Sequence, residues 1–194
     1  MKRSLQSIAV LLSAILLAAC AFSPTAAIRR DPIHPPDRGE PTDFQIRQSV
    51  PWRDGEIVYY TFEQLDPSGA PSECGFVAYV RRGLLGWQTG SGCGGCTPRG
   101  TATGPFELAG SGSSFSSDEG TRSETYGLIT DPAAVEVRLT WSDGLTDTVA
   151  LVDGSYLVVR AGEVDVERIE ALDATGAVVA TQAIPPPIKP PPPT

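Results

Sequence analysis

The sequence has one histidine, His34, and two lysines, Lys2 and Lys189. With a single histidine that precedes the strand-rich body, no His–Ser, His–Cys or multi-histidine metal arrangement can be assembled from the body's own residues. The G-x-S-x-G pattern of a nucleophile elbow is missing, even from the serine-rich GSGSSFSS. No stretch of the body repeats apolar residues at helical spacing with caps, which excludes an all-α class. Apart from the first twenty residues, no apolar run is long enough to matter for a membrane. Beyond the first nineteen residues the chain carries 13 basic and 23 acidic residues, a formal charge of −10. No compact basic patch is visible, so nucleic acid is excluded as a partner, and such a surface is expected to repel anionic headgroups.

The N-terminus is more informative. Lys2 and Arg3 precede the apolar run IAVLLSAILLAA at 8–19, too short to span a bilayer and fitting the h-region of a signal peptide. It ends in Leu17-Ala18-Ala19-Cys20, which resembles the lipobox of bacterial lipoproteins. The resemblance implies cleavage after Ala19, acylation of Cys20, and membrane lipid as a partner through that residue. Each buried acyl CH₂ contributes about 0.8 kcal/mol, and two or more chains hold a protein durably. It also places the folded part outside the cytoplasm. Ala21 stands where the enteric sorting pattern has an inner-membrane Asp, which leans towards an outer membrane where one exists.

Residues 20–43 hold five prolines and several charges, so they are expected to form a disordered, semi-extended tether of about 3 Å per residue. Residues 183–194, closing in IPPPIKPPPPT, read as a polyproline tail. Between them, 44–182 can form one domain with a real core.

The body reads as strands. Residues 56–62, EIVYYTF, have the composition of a strand buried on both faces, and 76–80, FVAYV, form another. Val135, Val137, Leu139 and Trp141 alternate with polar residues, which is a period of two. Asp143-Gly144, Asp153-Gly154 and Thr175-Gly176 are turn signals, and a parity change between Val166 and Ile169 predicts a bulge. The fold class is therefore all-β, a sandwich. Residues 126–179 resemble immunoglobulin-like β-sandwich modules of secreted and surface-anchored bacterial proteins, which implies that topology and no particular activity. The preceding half is expected to complete the sandwich, with 109–125 as a linker or exposed loop. A split into two small domains near residue 120 is the alternative.

With Cys20 assigned to lipid, Cys74, Cys93 and Cys96 remain in an oxidising compartment. Three arrangements compete. Cys74 bridges to Cys93 or Cys96, closing a loop of about twenty residues for roughly 3 kcal/mol. Or Cys93 and Cys96 bond across Gly94-Gly95. Or the three thiols bind zinc with His34 or Glu73 as the fourth ligand. Thioredoxin-like chemistry needs a cysteine at a helix N-terminus, and the glycine-rich surroundings provide none, so a structural staple is expected. Asp143, Asp147, Asp153 and Asp165 read as turn and strand-face residues rather than a calcium site. Trp141 continues a core face, whereas Trp52 and Trp87 are candidates for a binding surface. No catalytic residue, metal or cofactor is assigned. The expected function is a membrane-anchored binding or structural module of the cell envelope, with an envelope protein or glycan as partner. The alternatives are a thiol-redox protein using Cys93 and Cys96, and a carboxylate-dependent hydrolase.

Overall fold

The computed structural model describes residues 23–84, 86–101, 104–114 and 120–184. The lipobox-like stretch ending at Cys20 and residues 185–194 of the tail expected over 183–194 lie outside them, and residue 183 of that span is the last of a strand. One short helix, α1 (Pro24–Arg30), precedes eleven strands. These are β1 (Thr42–Trp52), β2 (Gly55–Leu65), β3 (Pro71–Gly83), β4 (Gly86–Pro98), β5 (Phe106–Ser114), β6 (Arg122–Ile129), β7 (Glu136–Trp141), β8 (Thr146–Ala150), β9 (Ser155–Ala161), β10 (Val166–Leu172) and β11 (Val178–Ala183). All pairings are antiparallel. They build three sheets, ordered β1-β2-β3-β4, β5-β6-β9 and β11-β10-β7-β8.

Three apolar clusters stack these layers. Ala27 and Ile28 of α1 pack on Tyr60, Phe62, Phe76 and Val80 of the first sheet. The other face of that sheet, through Ile57, Tyr59, Val77 and Tyr79, meets Tyr126 and Leu157 of the second. The far face of the second sheet, through Ile129, Tyr156 and Val158, covers Val137, Leu139, Trp141 and Ile169 of the third. The β5-β6-β9 sheet is thus the middle layer, and β6 is buried along nearly its whole length. The strand at 56–62 is likewise buried on both faces, because α1 covers one of them.

Several sequence expectations hold in detail. In β7, Val137, Leu139 and Trp141 are buried, while Glu136, Arg138 and Thr140 lie outward; Val135 is exposed just before the strand. Asp153 and Gly154 both have positive φ, 49° and 73°, as a tight hairpin turn demands. The register of β10 on β7 shifts between Val166 and Arg168, where the bulge was expected.

Three expectations are corrected. The body is not one two-sheet sandwich: residues 106–183 supply seven strands by themselves, and β1–β4 add a third sheet. The stretch at 109–125 is not a linker, since 109–114 and 122–125 belong to β5 and β6. The segment 20–43 is not a free tether from residue 23 onward. Ser23 caps α1 by accepting from the Ala26 amide at 3.1 Å, and Pro24 occupies the first turn. The helix buries Ile28 completely, worth about 1.5–3 kcal/mol against leaving it exposed. The Tyr60 hydroxyl then accepts from the Ile33 amide (2.9 Å) and donates to the Ile33 carbonyl (2.8 Å). Thr42 and Asp43 already belong to β1.

Candidate functional site

The C-x-x-C pair lies on β4, a strand, and this decides its chemistry. Residues three apart on a strand point to opposite faces. Cys96 sits directly opposite Cys74 of β3, Cα to Cα 4.0 Å, and the two form a disulfide on the α1 face. Cys93 faces the second sheet instead and remains a free thiol. The arrangement in which Cys74 bridges to Cys96 is therefore the one present. The local Cys93–Cys96 ring and the three-thiol zinc site are not, because strand parity holds Cys93 on the other side. Among the described residues no group of three or more His, Cys, Asp or Glu side chains converges to hold a metal.

Cys93 belongs to a buried polar cluster between the first two sheets. Its thiol donates to Glu124 Oε1 at 3.1 Å. Glu124 Oε2 accepts from Arg122 Nε at 2.9 Å, and both side chains of this ion pair are fully buried. They share a face because they are two apart on β6. The Arg122 guanidinium lies 5.4 Å from the Tyr79 ring centroid. Tyr79 in turn donates to Asp54 at 2.6 Å. Burial, the Glu124 charge and the hydrogen bond to it push the Cys93 thiol up to about 12, against a smaller opposing effect of Arg122. A redox cysteine needs the opposite shift. Alkylation by iodoacetamide at pH 8 is therefore expected to run on the order of a thousandfold slower than for a free thiol. Mass analysis against pH checks this, and a labelling midpoint below pH 9 would contradict the geometry.

Beside Cys93 runs a groove of about 320 Å³, where the edges of the first and second sheets face each other across β4 and β5. Gly75, Gly95, Gly110, Leu108 and Tyr126 line it. Some of these glycines are sterically required: a Cβ at Gly110 would lie 2.5 Å from the Tyr126 hydroxyl. On the opposite face of β4, a Cβ at Gly92 would meet Ile33 Cδ1 at 2.6 Å, so that glycine admits the docked N-terminal segment. Gly95 is different. Its Cβ would meet nothing within 4 Å and its φ is not positive, so neither crowding nor backbone conformation calls for glycine there. Glycine inside a strand often marks close approach of another backbone or a ligand.

The remaining candidates fall elsewhere. Glu63 and Glu73 face each other across β2 and β3, but Arg99 bridges them at 2.8 Å and 3.2 Å. The pair is an ion-paired clamp, not an acid and base poised over a substrate. His34 is brought onto the body, contrary to expectation, with Nδ1 3.3 Å from Gln64 Nε2 and 3.2 Å from the Pro35 carbonyl. Trp52 and Trp87 do not share a surface: both are half-buried, Trp52 against the core between the first two sheets and Trp87 on the α1 side. Trp141 is core, its indole N–H donating to Asp147 at 2.7 Å. Asp143 pairs with Arg160 at 3.0 Å, which also approaches Asp147, so these carboxylates are engaged in turn and ion-pair roles.

Sequence reasoning missed Arg122 and Glu124, placed in a presumed linker. The i, i+2 charge pair in RSET was the available signal, and it carries meaning only once that stretch is a strand. Comparisons with protein-family models, with curated proteins and with solved structures find no match to this chain.

Proposed function

We propose that this chain is a lipid-anchored, extracytoplasmic protein of the cell envelope whose body is a non-enzymatic binding module. The anchor is supported by Leu17-Ala18-Ala19-Cys20 after a basic start and an apolar run. The strand order β5-β6-β9 against β11-β10-β7-β8 supports an immunoglobulin-like sandwich for residues 106–183. The β1–β4 sheet is then an added layer that widens it. One observation carries the binding role: the groove between β4 and β5, with open strand edges on both walls and Gly95 left without steric reason. Unpaired edges attract an extended chain, which adds main-chain hydrogen bonds along the strand. The ligand is an extended segment of another envelope protein. The redox alternative loses its support with Cys93 and Cys96 on opposite faces, and Glu63 and Glu73, with Arg99 between them, lend none to the hydrolase alternative.

The anchor is tested by Cys20→Ser. Serine provides no sulfur for the thioether, so the protein should leave the membrane fraction or persist as an unprocessed precursor. Normal maturation with full membrane retention would sink the lipobox. The groove is tested with a photoreactive side chain at Gly95, where there is space for it. Adducts with an envelope protein should form at position 95 and be missing at Thr148, on β8 of the third sheet. Identical patterns at both positions would argue against the groove.

A further inference from the structure

The acidic chain has only two neighbouring arginine pairs, Arg29-Arg30 and Arg81-Arg82, far apart in sequence. The fold brings one arginine of each pair, Arg30 and Arg82, to the same end of the first sheet, while the Arg29 guanidinium lies over the Phe44 ring farther along it. Arg30 Nη2 donates to the Trp87 carbonyl at 3.0 Å. Trp87 is the direct cross-strand partner of Arg82 and packs on the α1 side. Leu84, at the turn that joins β3 to β4, is fully exposed. Arg30 and Arg82 are exposed and enter none of the ion pairs among the described residues, whereas Arg99, Arg122, Arg138, Arg160 and Arg168 are all paired. Arg53 and Arg81 lie near the same end and act on Asp54. The carboxylates nearest in the chain and across the strands are Asp31, Asp54 and Glu56; Tyr79 donates to Asp54, and Ser49 donates to Glu56. Arg30 and Arg82 thus present guanidinium groups to solvent at this end of a protein that carries an excess of acidic residues.

The second observation is the length of the leash. A free tether over residues 21–43 would let the body stand roughly 70 Å from its lipid. Docking of α1 removes nearly all of that. Cys20 is three residues from the capping Ser23, a span of at most about 11 Å. Ala27, Ile28 and the Tyr60–Ile33 hydrogen bonds hold this segment on the sheet.

We propose that the end of the first sheet formed by α1 and the β3–β4 turn is the membrane-contacting face. Arg30 and Arg82 bind anionic phospholipid headgroups there, and Leu84 enters the interface. Guanidinium groups suit phosphate oxygens, and an apolar side chain beside them settles at the boundary of the acyl region. The inference rests on the lipid anchor at Cys20 and adds an orientation to it. The groove between β4 and β5 then opens at a set height above the bilayer instead of at the end of a long spacer.

The test uses the full acylated protein in vesicles of phosphatidylethanolamine with about a third phosphatidylglycerol. In a Cys93→Ser background, a nitroxide is attached at Leu84→Cys and, separately, at Thr148→Cys on the third sheet. The label at 84 should be accessible to oxygen and shielded from a water-soluble relaxant, and the label at 148 should be fully accessible to the relaxant. Adding Arg30→Gln and Arg82→Gln should return the label at 84 to water. A vesicle-bound protein whose label at 84 is as wet as that at 148 would overturn the orientation while leaving the anchor intact. An unmodified Cys20 by mass, with no vesicle retention, would sink the anchor and the orientation with it.

Discussion

Replacing Arg122 with methionine should lower the stability of the protein by about 3–5 kcal/mol, because it strands the Glu124 carboxylate in a buried site. Two fully buried charges at 2.9 Å have lost their water, and each compensates the other. The Cys93 thiol at Glu124, and the Tyr79 ring and Ser91 hydroxyl at Arg122, are neutral groups and do not neutralise a carboxylate. Urea denaturation measures the loss. Removing both charges, as Arg122→Met with Glu124→Leu, should recover most of it, since the desolvation cost of both ions goes as well. A loss below about 1 kcal/mol for the single variant would mean that water reaches the pair. Glu124→Gln gives an independent readout. It removes the charge and the ionic acceptor that raise Cys93 but keeps Arg122, which lowers it, so Cys93 should titrate lower and label faster.

Cys96→Ser should cost about 3 kcal/mol, the chain-entropy value for a loop closed across a separation of 22 residues. Reduction of the wild-type protein should produce the same loss reversibly. Cys93→Ser is the contrast. A serine hydroxyl can still donate to Glu124, so stability should change by less than about 1 kcal/mol. Digestion without reductant should give one linked peptide pair, Cys74 with Cys96. If instead Cys93→Ser carries the larger loss, the pairing across β3 and β4 is wrong.

Much of the third sheet was legible in the chain. The alternation over 135–142 marks a half-buried strand because successive side chains on a strand point to opposite faces. Asp153-Gly154 marks a hairpin because the turn needs positive φ at both positions. The N-terminal segment was misread although its signal was present. Ser23-Pro24 is a capping residue followed by the one helical position that proline favours, but the proline count of the wider stretch pointed to a spacer. The strand at 106–114 was hidden by its glycines and serines, which are poor strand formers in isolation. At Gly110 the glycine is required, because a Cβ there would lie against the Tyr126 hydroxyl of the neighbouring strand.

By itself, the sequence determined what near neighbours decide: strand periodicity, turn positions and the bulge. It also contained the parity of Cys93 and Cys96, which acts only once β4 is a strand. Tertiary structure alone decided that three sheets stack, that Cys74 meets Cys96, and that Arg122 and Glu124 are sealed between two of the sheets. It also gathered Arg30, Arg82 and Leu84 at one end, although no basic patch is visible along the chain. The physical reason is the range of the interactions. Turn dihedrals and the two-residue period act between neighbours, whereas burial, ion pairing and the meeting of sheet edges depend on residues brought together from distant parts of the chain.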